Sequence, residues 1–249
     1  MELDVIHNMD CLEGMRFLPD KCVDLIVTDP PYEFNDTRGG GTFGSKHRTY
    51  HAELNPISKG VSKEVLDEMV RVMKKVNIYI WCNKNQLRQY IDYFDDLGCS
   101  MDLLTWHKTN PVPTCGNKYL SDTEYCLFFR EKGVKVGGAY GTKSKYFISE
   151  LNTRDKKKYG HPTVKPQPFV EFMIYNSSRP DEVVLDPYMG SGTTAAAART
   201  RGRHYIGFEI DPTYCEVARE RAASISFHKR SVLDWWDTDD GEEVIENEE

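Results

Sequence analysis

The sequence predicts an α/β fold in which a mostly parallel sheet is covered by helices on both faces. Short runs rich in β-branched and aromatic residues alternate along the chain with helix-patterned segments. One segment, "DEVVLDPYMGSGTTAAAAR", passes from a strand through a glycine turn into an alanine-rich helix. Two strand candidates end in an acid, Asp29 after "VDLIVT" and Asp186 after "VVL". Sheets of this class bind ligands beyond the carboxyl ends of their strands. With 249 residues and 39% hydrophobic content, the chain can bury one sizeable core.

Taken in order, "CVDLIVTD" reads as a buried strand. From Glu33 to about Gly60 runs a long connection containing "RGGGTFGSKHR", a length typical of functional lids or disordered segments. Ser62 caps a helix that sets Val65, Leu66, Met69, Val70 and Met73 on one face. "VNIYIWC" is a second strand, Asn83 to Leu97 a helix closed by Gly98, and "CSMDLLTWH" a third strand. From Thr109 to Pro162 the pattern loosens around one strand candidate, "EYCLFFR". Residues 109–160 read as a recognition insertion within a single domain spanning 1–231. A helix from about Gln167 to Asn176 follows, then the glycine-turn segment and the strand "HYIGFEI". Asp211 and Pro212 open a last helix with Tyr214, Val217, Ala218 and Ile225 on one face.

The net charge of −7 is unevenly spread. Val232 to Glu249 holds nine acids and no Lys or Arg, so 232–249 reads as an acidic, disordered tail. Trp106 to Lys165 holds twelve Lys/Arg against five Asp/Glu. A basic middle fits a polyanion partner, and equally a solvated lysine-rich surface. Seven cysteines lie scattered without a CxxC pair, which points to reduced thiols and to no metal site. No run approaches the roughly 18 apolar residues of a membrane span, and "MELDVIHNMD" lacks signal-peptide features. A cytoplasmic protein without a membrane partner is the expectation.

Two strand ends carry the chemistry. In "VVLDPYMGSGTT", Gly190 and Gly192 permit a tight turn and close backbone approach, and Asp186 sits at the strand tip. Glu209 ends the next strand 23 residues later, the spacing of an acid that binds ribose hydroxyls. The GxGxxG fingerprint and the P-loop lysine are both absent, so a nucleoside cofactor without a phosphate cradle is expected. The other loaded tip is "TDPPY", Thr28 to Tyr32. On its own it is also compatible with a rigid turn carrying an Asp cap and a packed tyrosine.

Together, "DPPY", "DPYMGSGTT" and "HPTVKP" (His161 to Pro166) resemble the motifs of the S-adenosylmethionine-dependent amino-methyltransferases of DNA. The catalytic motif precedes the cofactor motif, as in the β group, a circular rearrangement of the usual order. The resemblance runs from about Asp10 to Ala222. It departs in "DPY" where the family more often has "DPF", and in a short insertion before "HPTVKP". It implies a class I methyltransferase fold, a Rossmann-like sheet of seven strands with one antiparallel. It also implies S-adenosylmethionine as cofactor, DNA as partner, a possible homodimer, and a bacterial or phage-encoded origin. By the same resemblance Asp10 faces the cofactor adenine, Glu209 the ribose and Asp186 the amino-acid end. Thr163 and Lys165 border the methionine end, and Cys11, Tyr188, Gly190, Ser191, Gly192 and Thr193 complete the pocket. An Asp near a helix start is also an ordinary cap, which leaves Asp10 two readings.

An exocyclic amine is a poor nucleophile because its lone pair is delocalised into the ring. The Asp29 carboxylate and the Pro30 carbonyl can accept its N–H groups and redirect that lone pair. Pro30 and Pro31 fix the backbone beforehand, and Tyr32 offers a stacking face to a flipped base. Lys108, Lys118, Arg154, Lys156, Lys157 and Lys158 are candidate phosphate contacts. Arg38, Lys46, His47 and Arg48 lie in the glycine-rich connection, which would close over DNA. Trp106 reads either as core or as base-pocket wall. The expected reaction is adenine-N6 methylation of DNA. Cytosine-N4 methylation, RNA adenine methylation and an inactive nucleic-acid-binding homologue stand as alternatives.

Overall fold

In the computed structural model, which describes residues 1–33, 60–113 and 119–225, eight strands join one sheet. They are β1 (Val5–Asn8), β2 (Leu25–Thr28), β3 (Asn77–Cys82), β4 (Ser100–Lys108), β5 (Thr123–Arg130), β6 (Tyr146–Ser149), β7 (Val183–Asp186) and β8 (His204–Glu209). Their order across the sheet is β1-β8-β7-β2-β3-β5-β4-β6. β5 runs antiparallel to both its neighbours, and every other pairing is parallel. The described helices are α1 (Cys11–Arg16), α2 (Lys63–Val72), α3 (Leu87–Asp96), α4 (Thr153–Tyr159), α5 (Gln167–Ser177), α6 (Thr193–Thr200) and α7 (Pro212–Ala223).

The central strands β8, β7, β2, β3 and β5 are apolar on both sides, and their alternate side chains feed two cores. On one face Leu25, Val27, Tyr79, Trp81 and Phe128 meet Phe169 and Met173 of α5, Ala197 of α6 and Ala218 of α7. On the other Ile26, Ile78, Ile80 and Leu185 meet Met15 of α1, Leu66 and Met69 of α2, and Phe94 of α3. Parallel strands buried on both faces require this double cover.

The sheet differs from expectation in four places. It has eight strands rather than seven, because Tyr146–Ser149 adds an edge strand beside β4. β5, the strand candidate "EYCLFFR" within residues 109–160, lies deeper than an insertion would suggest, with Cys126, Leu127, Phe128 and Phe129 fully buried between β3 and β4. α3 starts at Leu87 rather than Asn83, since the preceding asparagines and Gln86 form a hydrogen-bonded turn. α7 buries Cys215, Ala218, Arg221 and Ala222 rather than the face that includes Tyr214 and Ile225.

The connection from β7 through α6 leads to β8 on one side, and that from β2 through α2 leads to β3 on the other. Strand order therefore reverses between β7 and β2, which opens a crevice at their carboxyl ends. Among the described residues no helix is long and apolar enough to cross a membrane. The six described cysteines are all free thiols.

Candidate active site

Four neighbouring strands each present an acid at this edge. In sheet order they are Asp10 just after β1, Glu209 at the end of β8, Asp186 at the end of β7 and Asp29 just after β2. At about 4.8 Å between strands, the row is roughly 15 Å long.

The β7 end is closed by hydrogen bonds from its own turn and from the neighbouring strands. Asp186 Oδ1 accepts from Thr28 Oγ1 at 2.8 Å and from the Tyr188 amide at 3.0 Å. Burial pushes its carboxyl up to about 7, against the opposing hydrogen bonds from Thr194, Thr28 and Tyr188. Gly190 (φ +52°) and Gly192 (φ +79°) make the turn into α6. A Cβ on Gly192 would lie 2.8 Å from the Ala218 backbone, so α7 packs directly on this glycine. Glu209 accepts from the Gly190 amide at 2.8 Å and the Asp211 amide at 2.9 Å, and burial raises its pKa. A carboxylate has about four acceptor sites, so both oxygens retain capacity for hydroxyl donors. Asp10 caps α1 through Oδ1, accepting from the amides of Leu12 (2.8 Å) and Glu13 (3.2 Å). Cys11 is buried beside Tyr188, and burial pushes its thiol up to about 11, so it stands as a neutral wall.

Two expected pocket residues are engaged elsewhere. The hydroxyls of Ser191 and Thr193 are buried and accept from Arg221 at 3.3 and 2.9 Å. That guanidinium also lies 4.3 Å over the Tyr159 ring and ties α7 to α4. His161 packs edge-on against Tyr214, and its Nδ1 accepts from the Thr163 amide at 3.3 Å. Burial, with Lys165, Lys156 and Arg221 nearby, lowers its pKa to about 4, so the ring is neutral near neutral pH.

The β2 end is built from distant parts of the chain. Lys165 Nζ lies 2.5 Å from Asp29 Oδ2, 3.2 Å from the Tyr32 hydroxyl and 3.1 Å from Glu124 Oε2. Its side chain is 6% exposed, enclosed by the faces of Tyr32 and Trp81. Burial alone would lower its pKa, but Asp29 and Glu124 outweigh burial and hold it above its ordinary value. Burial raises the pKa of Asp29, with Lys165 opposing. The ammonium of Lys165, a residue expected to border the methionine end of a cofactor, bonds the "DPPY" acid.

The prolines are anchored from below by residues outside the sequence expectation. Gln86, fully buried, donates to the Pro31 carbonyl and to Tyr90, both at 3.1 Å. Asn83 and Asn85 both donate to the Glu33 carbonyl, at 2.6 and 3.2 Å. Asp29 Oδ1 is buried and has no hydrogen-bond partner among the described residues.

The expected DNA contacts divide. Trp106 is 2% exposed, and its Nε1 donates to Ser149 Oγ at 2.9 Å, so it belongs to the core rather than to a DNA surface. Lys108 is not a free phosphate ligand either: it is largely buried, and its ammonium pairs with Glu124 at 2.7 Å. Arg154, Lys157 and Lys158 of α4 are exposed, while Lys156 is half-buried and burial lowers its pKa. Arg38, Lys46, His47, Arg48 and Lys118 lie outside the described residues. Glu124 was not singled out by its sequence, since a lone acid beginning an apolar strand resembles an ordinary strand end.

The comparisons with known proteins agree with this geometry. A family model described as DNA methylase, covering N6 and N4 enzymes, matches residues 23–220. The type II methyltransferase M.HinfI of Haemophilus influenzae is 29% identical, over 90% of this chain and 69% of the relative. M2.DpnII of Streptococcus pneumoniae, also a type II methyltransferase, is 25% identical over 87% and 88%. The solved M1.HpyAVI complex with S-adenosylmethionine superposes with a TM-score of 0.64 at 25% identity, covering 87% of this chain and 97% of that one. The cytosine-N4-specific PvuII methyltransferase shares the fold, with a TM-score of 0.65 at 17% identity and coverage of 87% and 85%. The chain belongs to the DNA methylase family of N6 and N4 amino-methyltransferases.

Proposed function

We propose that this chain transfers a methyl group from S-adenosylmethionine to the N6 amine of an adenine turned out of DNA. The observation that carries this reading is Asp29 Oδ1, a buried acceptor with no partner among the described residues, one strand from Asp186. The row of acids suits an elongated nucleoside with an amino-acid arm. Asp10 would meet the adenine end, Glu209 the ribose hydroxyls and Asp186 a cationic amino group, whose charge would offset the burial of that carboxylate. When bound, S-adenosylmethionine supplies a methyl carbon already activated by its sulfonium.

The remaining chemistry belongs to the chain. Asp29 Oδ1 and the Pro30 carbonyl accept the two N–H groups of the amine and turn its lone pair toward the crevice. Gln86 holds the neighbouring Pro31 carbonyl, so the loop is rigid before the base arrives. The proton that the amine sheds after transfer passes to Asp29 Oδ1, whose raised pKa suits an acceptor. Tyr32 lies beside this acid and offers its ring to the base. Asp29 supports adenine over cytosine, because the cytosine-N4 enzymes of the resembled family usually carry serine at that position. The exposed Arg154, Lys157 and Lys158 of α4 would position the phosphate backbone.

The test is methyl transfer from labelled S-adenosylmethionine to unmethylated genomic DNA, with the products digested and identified as nucleosides. N6-methyladenine is expected. N4-methylcytosine alone would overturn the choice of base, and preferential labelling of competing RNA would overturn the choice of nucleic acid.

A further inference from the structure

We propose that Lys165, itself held by Glu124, is a positioning residue that turns one oxygen of Asp29 away and leaves the other facing the substrate amine. The inference rests on the methyl-transfer reading above and assigns a task to a charged chain which that reading does not use. Four side chains alternate in sign from the "DPPY" loop to the end of β4. Asp29 meets Lys165 at 2.5 Å, Lys165 meets Glu124 at 3.1 Å, and Glu124 Oε1 meets Lys108 at 2.7 Å. The side chains are 23, 6, 22 and 11% exposed, respectively.

A buried ammonium is tolerated only when it is paired and hydrogen-bonded. Lys165 has three N–H donors: one goes to Asp29 Oδ2 and one to the Tyr32 hydroxyl, and Glu124 Oε2 stands 3.1 Å away as the ion-pair partner on the other side. The ammonium takes only Oδ2 of Asp29, and Oδ1 remains buried without a partner among the described residues. A carboxylate free to rotate would present either oxygen, in either of two orientations. One pinned at Oδ2 presents a single acceptor at a fixed place.

Glu124 has the complementary task. Without it, one carboxylate would face one lysine, and the pair would close on itself more tightly. With it, Lys165 is shared and Asp29 is held more basic, a better acceptor for the amine's hydrogen. Lys108 in turn balances Glu124, and these two lysines hold its pKa down to about 2 against burial, so Glu124 stays ionised. The other titratable groups acting on or beside Asp29 among the described residues are Tyr32, Cys82, Tyr90, Cys126 and Asp186. The cysteines and tyrosines among them are held neutral by burial.

The experiment measures kcat, KM for S-adenosylmethionine and the pH profile of kcat, with unmethylated genomic DNA as acceptor, for the full chain and three variants. Lys165→Met is expected to lower kcat about 10²-fold, the cost of a small misplacement at a reacting centre, with KM for the cofactor little changed. Its acid limb should move to higher pH, because Lys165 is the main group opposing the burial of Asp29. Lys165→Arg should recover part of kcat. Glu124→Gln should move the acid limb the other way, since Glu124 raises the pKa of Asp29.

A merely structural ion pair would lower stability without moving the two limbs in opposite directions. If Lys165→Met does not fold, as judged by circular dichroism, Glu124→Gln decides: a lowered limb supports the inference and an unmoved limb overturns it. A Lys165→Met enzyme that keeps its kcat and pH limb, or that loses only cofactor affinity, overturns the inference while leaving methyl transfer intact. Wild-type protein that methylates nothing overturns the methyl-transfer reading, and this inference with it.

Discussion

The two sides of the crevice between β7 and β2 are held together in opposite ways. On the β7 side, backbone amides from the adjoining turns close the polar groups: Tyr188 on Asp186, and Gly190 and Asp211 on Glu209. On the β2 side, the acid is held by a lysine 136 residues away, which is shared with a glutamate on the antiparallel strand. Hydrogen bonds, most of them from backbone amides, fix the β7 side, where burial limits the charge. Long-range ion pairs make an acceptor whose charge is set by distant substitutions. A cofactor pocket gains from rigidity, whereas a catalytic acceptor gains from a tuned charge and one free oxygen.

If the sides are separable in this way, Asp29→Ala should lower kcat by about 10² to 10³-fold while calorimetry shows undiminished cofactor binding. A parallel fall in cofactor affinity would break the comparison. Next in size is a stability effect on the β7 side. Burial raises Asp186 to about 7 from an ordinary 3.8, so the folded state favours its protonated form. Its contribution to stability is therefore full below about pH 4 and is lost as pH rises through 7. Asp186→Asn should flatten thermal midpoints over that window and gain roughly 4 kcal/mol above pH 7 without cofactor, at the expense of cofactor affinity. An Asn variant with the wild-type pH dependence would show that Asp186 is not the strained group.

A smaller change probes how the acceptor loop is anchored. Gln86→Leu removes the donor to the Pro31 carbonyl and should cost about 1–3 kcal/mol in thermal or denaturant melts. It should lower kcat about tenfold more than it changes cofactor affinity. The smallest effect should come from the exposed surface. Lys157→Ala should weaken DNA binding about equally for all sequences and reduce the log–log salt slope by about 1, with stability within about 0.5 kcal/mol of wild type.

The same contrast explains what was legible in the sequence. "DPYMGSGTT" and Glu209 could be read because the strand, turn, helix and next strand follow one another in the chain, and the turn amides of Tyr188 and Gly190 bond Asp186 and Glu209 within that stretch. The strands β2, β3, β7 and β8 could be read because burial on both faces leaves unbroken apolar runs. The edge strands β1 and β6 could not. β1 buries only Ile6, and β6 leaves Tyr146 and Ile148 exposed, so neither carries such a pattern. Glu124, Gln86 and Arg221 were missed because a buried polar residue is recognised by its partners, which here lie on other elements. Lys108 reads toward DNA from its charge, yet Glu124 claims it, and of the two readings of Trp106 the core one holds.

The hydrogen bond from Thr28 to Asp186 spans 158 residues of chain, and Asn8 reaches the Glu209 carbonyl across 201. Synthesis delivers β2 early, as an apolar strand with one side of its ladder unfilled until β7 emerges. β1 likewise waits for β8. The half of the sheet formed by β1, β8, β7 and β2 therefore assembles only after most of the polypeptide has left the ribosome. Contacts of such high sequence separation slow folding and lengthen the time an adhesive edge stays open. The order of the strands in the chain thus leaves β1 and β2 as open edges through most of synthesis.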